Sequence, residues 1–263
     1  MPVNPSSHTA LVTGASGGIG RAIAEQFARA GINLVLSARS EATLHEIADD
    51  WQARYGVTVT VLTADLSEPG AAAALAEQVA SAGIDIDYLV NNAGFGTFGL
   101  FTQTELNATL SLLRVNIEAL TELTHRFLPN ILARRGRILN VASTASFQPG
   151  PYMAVYCASK AYVLSFSEAL AAELAGTGVT VTALCPGATL SGFQERAAMQ
   201  SSGFLKRMRL ATSESVAAAG YRAMMAGRAV FIPGLANRLM VFSVRFAPRS
   251  MVAALSKRIL APE

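Results

Sequence analysis

An α/β fold, a parallel sheet wound by helices on both faces, is predicted by three observations. Short apolar runs alternate with longer amphipathic ones along all 263 residues. Hydrophobic residues fill 51% of positions, enough to cover a sheet on both sides. A glycine-rich turn, LVTGASGGIG at 11–20, directly follows the first apolar run and opens a helical pattern.

Each element has its own warrant. The runs TALVT (9–13), NLVLSA (33–38), VTVTVLT (57–63), DYLVNN (87–92), RILNVA (137–142), VTVTALC (179–185) and AVFI (229–232) are short, apolar and rich in β-branched residues, which predicts seven strands. The longer gaps between them carry helical patterns. One runs from about Leu106 to Leu128 and is expected to stop at Pro129, which lacks an N–H. Another covers Tyr156 to Leu174, with Gly176 or Gly178 as its stop signal. The segment 187–210 lengthens one strand-to-helix connection well beyond the usual few residues, as lids do. No linker composition and no repeat interrupts the series, so residues 1–263 are expected to form one domain, with 235–263 as a basic, apolar C-terminal segment.

Composition excludes several functions. Histidines 8, 45 and 125 are scattered, which argues against a metal site. Two cysteines, Cys157 and Cys185, make no disulfide framework and fit a reducing cytoplasm. No secretion signal and no spanning-length apolar run is visible. The net charge of +3 is uneven: residues 215–263 carry seven cations against one acid, leaving −3 for the rest. The tail's five cations among apolar residues fit packing over a pocket or a neighbouring subunit, the preferred reading, or lying on an anionic membrane surface. Nucleic acid is not expected as a partner.

Gly14, Gly18 and Gly20 lie after the first strand and at a helix head, where backbone amides attract a phosphate. Tyr156 and Lys160 in YCASK are one helical turn apart on one face, a phenol beside an ammonium among small residues. Ser143 closes the fifth strand and should emerge at the carboxyl edge of the sheet, where ligands of such folds bind.

The glycine spacing differs from G-x-G-x-x-G and resembles instead the T-G-x-x-x-G-I-G of short-chain dehydrogenase/reductases. NNAG at 91–94, YCASK at 156–160 and CPG at 185–187 stand where that family has them, across essentially the whole chain. The resemblance implies a Rossmann-type domain and an oxidoreductase that moves hydride between a nicotinamide dinucleotide and a carbonyl or alcohol.

By resemblance the cofactor is held by Gly14, Ser16, Gly18, Ile19 and Gly20 at the pyrophosphate, and by Asp65, Leu66, Asn92, Ala93 and Gly94 along adenosine. Asn91 is the structural member of its pair. Pro186, Gly187 and Thr189 are expected at the nicotinamide carboxamide, and Ser191 stands where many relatives have threonine. The second strand ends in Ala38 and Arg39 rather than an acid; a guanidinium there suits a 2′-phosphate, so NADP(H) is expected. The missing acid also disfavours an S-adenosylmethionine methyltransferase.

Tyr156 is expected to supply the proton, Lys160 to lower the phenol's pKa and hold the ribose, Ser143 to donate to the substrate oxygen, and Asn116 to hold a water of the proton relay. Apolar Phe95, Phe98, Phe147, Met153, Phe193, Phe204 and Met208 predict a hydrophobic ketone, aldehyde or alcohol as substrate. Small and apolar residues around the Tyr156 helix suggest a homodimer or homotetramer. The rival reading is a non-catalytic dinucleotide sensor or scaffold working through its basic C-terminal segment.

Overall fold

A computed structural model describes residues 8–190 and 210–261. Its parallel sheet contains β1 (Thr9–Thr13), β2 (Asn33–Ser37), β3 (Val59–Val61), β4 (Tyr88–Asn91), β5 (Arg137–Val141), β6 (Thr180–Leu184) and β9 (Val230–Phe231), in the order β3-β2-β1-β4-β5-β6-β9. All seven expected strands are present. The chain winds outward from β1 in one direction and from β4 in the other, so the crevice beyond their carboxyl ends is the topological switch point.

Alternate residues of each strand enter opposite cores, which is why the strands read as continuous apolar runs. On one face Val12, Leu34 and Leu36 meet Ile23, Phe27, Leu44 and Trp51 of α1 (Gly18–Arg29) and α2 (Glu41–Tyr55). Behind α1, Val216 and Met224 of α7 (Ser213–Met225) complete that layer. On the other face Leu11, Val35, Leu89 and Ile138 meet Leu75 of α3 (Ala71–Ser81) and the helices after β4.

The run expected to stop at Pro129 is instead three pieces. These are α4 (Leu106–Leu113), a π-helical turn (Arg114–Ala119) and α5 (Leu120–Ala133), with Pro129 inside α5. Leu123, Phe127 and Ile131 form one buried face. Fully burying Ile131 contributes about 1.5–3 kcal/mol, which offsets half or more of the roughly 3 kcal/mol an internal proline costs. The helix carrying Tyr156, α6 (Ala154–Glu173), starts two residues earlier than expected, and Gly176 and Gly178 follow it with φ of 84° and 90°.

The ends of the long connection pair as β7 (Thr189–Leu190) and β8 (Ala211–Thr212), in parallel. Its interior, with Ser191, Phe193, Phe204 and Met208, lies outside the described residues. The C-terminal segment forms two helices, α8 (Leu235–Val244) and α9 (Arg249–Leu260), broken at Pro248. Among the described residues no helix is long and apolar enough to cross a membrane, and no His, Cys, Asp or Glu cluster suits a metal.

Candidate active site

One cavity of about 920 Å³ runs along the carboxyl edge of the sheet, from Arg39 and Asp65 to Tyr156 and on to α8 and α9. It is lined by every residue predicted for catalysis or cofactor binding except Gly20 and Asn116.

At one end Gly17 precedes α1 as its N-cap, with neither a capping side chain nor an acid in the first turn, so the leading amides are open to an anion. Gly14 needs a positive φ of 65°. Gly20 sits behind the turn, where a Cβ would collide with Asn92 and the Gly14 carbonyl; it is a packing glycine rather than a lining one. Asn92 closes the cradle, donating from Nδ2 to Thr13 O at 2.9 Å and Gly14 O at 3.2 Å.

Asp65 accepts from Ser67 N (3.0 Å) and Ser67 Oγ (2.6 Å), fixing a turn that ends three residues before Gly70, the cap of α3. Burial opposes its ionisation, but these hydrogen bonds and Arg39 hold its carboxyl below the usual range. Arg39 Nη1 stands 4.0 Å from Asp65 Oδ2, and both residues line this end of the cavity.

The chemical end is fixed by buried polar ties. Asn91 donates to Thr124 Oγ1 and Asn140 Oδ1, both at 2.9 Å, and Asn140 donates to Ser167 Oγ at 2.9 Å, joining β4, α5, β5 and α6. Beyond β5, Ser143 Oγ accepts from Ala145 N at 3.1 Å and caps a short 3-10 turn. Ser146 is structural, donating to Lys160 O at 2.7 Å. Ser143 is hydrogen-bonded to the Tyr156 hydroxyl.

Lys160 is 6% exposed; its ammonium donates to Val141 O at 2.7 Å and lies 5.9 Å from the centre of the Tyr156 ring. Burial pulls it down to about 8. Burial also pushes Tyr156 up to about 12, against the opposing pull of the Ser143 hydrogen bond. The expected lowering of the phenol by Lys160 is not seen: burial dominates, the lowering comes from Ser143 instead, and the phenol keeps its proton at neutral pH.

Asn116 projects from the π-helical turn, a feature often found at functional sites. Its Oδ1 accepts from Phe95 N at 3.2 Å, and its Nδ2 donates to Phe95 O and Ser159 Oγ, both at 3.0 Å. A Cβ on Gly94 would lie 3.0 Å from Asn116 Oδ1 and 3.4 Å from Lys160 Nζ, so the bare glycine lets both polar tips approach one point.

Thr189 is buried and donates to Gly187 O at 2.9 Å, while Thr144 N donates to Pro186 O at 2.9 Å. Burial raises Cys157 to about 11 and Cys185 to about 12, which suits packing thiols rather than nucleophiles.

Of the predicted apolar wall, Phe95 and Met153 line the cavity. Phe98 packs instead toward Tyr152 and Leu112, and Phe147 toward Leu120 and Val163. Most of the wall comes from residues that sequence reasoning missed: Met240 and Val244 on α8, and Met251, Val252, Leu255 and Ile259 on α9. Their i, i+4 spacing was the available signal. The C-terminal segment therefore covers the pocket.

The family model for short chain dehydrogenase matches residues 8–201. A short chain dehydrogenase of Pseudocercospora fijiensis is 38% identical over 186 residues, spanning 70% of this chain but only 60% of that protein. Among solved structures, a short-chain dehydrogenase from Sphingobium yanoikuyae in complex with NADPH is 33% identical (TM-score 0.81; 91% of this chain, 93% of that). The bulky-bulky ketone specific alcohol dehydrogenase from Comamonas testosteroni is 30% identical (TM-score 0.77; 92% and 93%). A short chain dehydrogenase/reductase from Burkholderia phymatum, in complex with NAD, is 26% identical (TM-score 0.80; 91% and 93%). A cavity at the switch point, a tyrosine and lysine one turn apart within it, and a family match over most of the sequence agree: this chain belongs to the short-chain dehydrogenase/reductase family.

Proposed function

We propose that this protein is a single-domain NADP(H)-dependent oxidoreductase that interconverts a hydrophobic ketone or aldehyde and its alcohol, with Tyr156 as the acid and base. The observation that carries the reading is the position of the Tyr156–Ser143 pair, where the dinucleotide crevice meets an apolar wall in one cavity.

The cradle suits a dinucleotide: the uncapped head of α1 fits the pyrophosphate, and Gly94, Tyr156 and Lys160 line the stretch of the same cavity that would hold the ribose-nicotinamide half. Since solved relatives hold either dinucleotide, NADP(H) rests on Arg39, a cation at the ribose end where the NAD pattern has an acid. Bound there, the reduced nicotinamide supplies the hydride.

The chain's own groups do the rest. Ser143 donates to the carbonyl oxygen as negative charge grows on it, and Tyr156 passes its proton to that oxygen. Lys160, charged at pH 7 and screened from water, stabilises the phenolate left behind and holds the nicotinamide ribose. Asn116, beside Gly94, positions a water that returns a proton toward Lys160. Apolar contacts from Met153, Met240, Val244 and Leu255 favour a bulky, uncharged body on the substrate. Exposed Leu106, Leu110 and Tyr162 on α4 and α6 support a homodimer or homotetramer.

Purified protein mixed with NADPH and a panel of hydrophobic ketones tests this through loss of nicotinamide absorbance. Tyr156→Phe should lose turnover while keeping NADPH affinity. Unchanged turnover would remove Tyr156 from the chemistry, and no turnover on any carbonyl with intact NADPH binding would favour a non-catalytic dinucleotide sensor.

A further inference from the structure

We infer that the outer face of α8 and α9 is a docking surface for an anionic lipid bilayer, and that the substrate cavity opens onto it. Met240, Met251, Leu255 and Ile259 line the cavity, yet they are 38–58% exposed, so the mouth lies between these two helices.

Around that mouth stand large apolar side chains that lie outside the lining of this cavity. Leu235, Leu239, Phe242 and Phe246 on or just after α8 are 56–75% exposed, and none of them lines the cavity. The surface extends to the segment after β4, where exposed Leu100 and Phe101 share a second groove with Lys257 of α9. A soluble face rarely collects this much large apolar surface without a partner.

Charge selects the partner. Residues 235–261 carry Arg238, Arg245, Arg249, Lys257 and Arg258 and not one acid. Arg238 is tied to Ile232 O at 2.9 Å, but none of the other four forms an ion pair among the described residues. A symmetric contact with a second copy would set these five cations against five more, whereas phosphodiester headgroups would neutralise them. Aromatic and aliphatic side chains between arginines are the arrangement that seats an in-plane helix at the headgroup boundary. An apolar substrate dissolved in that bilayer would then enter the cavity without crossing water.

Co-sedimentation of the full chain with phosphatidylcholine vesicles, with and without phosphatidylglycerol, tests the surface. Binding should require the anionic lipid and weaken as salt rises. The double variant Arg245→Glu/Arg249→Glu should weaken partitioning by more than tenfold, since each cation near such a surface contributes roughly fivefold. Phe246→Ser should weaken it separately while leaving turnover of a water-soluble ketone unchanged, because neither Phe246 nor the two arginines line the cavity. Equal binding to neutral vesicles, no binding at all, or indifference to the arginine reversals would overturn the inference. So would Phe246→Ser dissociating an oligomer in sedimentation velocity without changing vesicle binding. Vesicle binding is read without substrate, so its outcome is separable from that of the carbonyl chemistry.

Discussion

Replacing Lys160 by methionine should make the protein inactive and more stable. The ammonium is nearly shut off from water and keeps one hydrogen bond, to Val141 O. Its fall from the usual 10.5 to about 8 converts, at about 1.4 kcal/mol per pH unit, to a folding cost of about 3 kcal/mol for burying the charge at neutral pH. Methionine fills much of the same space without charge, and losing the bond to Val141 O returns about 1–2 kcal/mol of that gain. Lys160→Met should therefore be about 1–2 kcal/mol more stable at pH 7, raising the melting temperature by roughly 2–6 °C.

The pH dependence identifies the cause. Below pH 8 the lysine is charged in both folded and unfolded chains, and the whole cost is present. Between 8 and 10.5 the folded chain loses the proton first, so wild-type stability rises with pH and the gap between the proteins closes. Tyr156 titrates higher and is common to both proteins, so it cancels from the difference. Denaturant melts of both proteins at pH 7 and pH 10, without added dinucleotide, measure this. A variant that is several kcal/mol less stable at pH 7, or a gap that does not narrow by pH 10, would refute the account of a strained buried charge.

Three further outcomes follow from the geometry. Arg39→Ala should weaken NADPH binding by about tenfold to a hundredfold, the worth of a charge-assisted contact, and leave NADH unchanged in fluorescence titration; equal losses would show that Arg39 does not read the phosphate. Gly20→Ala drives a methyl into Asn92 and the Gly14 carbonyl, so the melt should fall by about 1–3 kcal/mol, as overpacking does, together with dinucleotide affinity. For ketone reduction, kcat/KM should be level at neutral pH and fall above about 8 as Lys160 loses its charge, long before Tyr156 titrates near 12. A profile that rises through pH 8 to 10 would contradict that assignment.

The strands, the glycine turn and the tyrosine–lysine pair were legible because each follows from a short-range rule: alternation, positive φ, or one helical turn. What sequence could not give was set by contacts between distant segments. Pro129 did not end α5 because Ile131, two residues on, has a core to enter. The π-helical turn at 114–119 leaves no mark in apolar spacing, so Asn116 could be picked out but not the widened backbone that carries it. Phe98 and Phe147 were placed in the pocket for lying on the right loops, but neighbouring side chains draw both elsewhere. The tail's i, i+4 apolar positions were visible, but a periodicity names a face without naming what it faces.

The two halves of the site also differ in how firmly they are held. Tyr156 and Lys160 belong to α6, which buries eight residues and is bonded through Ser159, Ser167 and the Lys160 carbonyl to neighbouring elements. The α8 cover buries only Val241, and α9 only Val252 and Ser256. Local opening is easiest where little apolar surface is lost, so the cover can part while the reacting groups stay in register. A wall able to open would suit the bulky substrate proposed above, whose entry needs more room than its binding. In the proposed mechanism, rigidity at the sheet edge would keep Tyr156 aimed, because a displacement of even 1 Å there would be felt in the rate. On the proposed reading, chemistry and access belong to different parts of the chain, and substitutions on the outer face of α8 and α9 should change which molecules arrive without disturbing what is done to them.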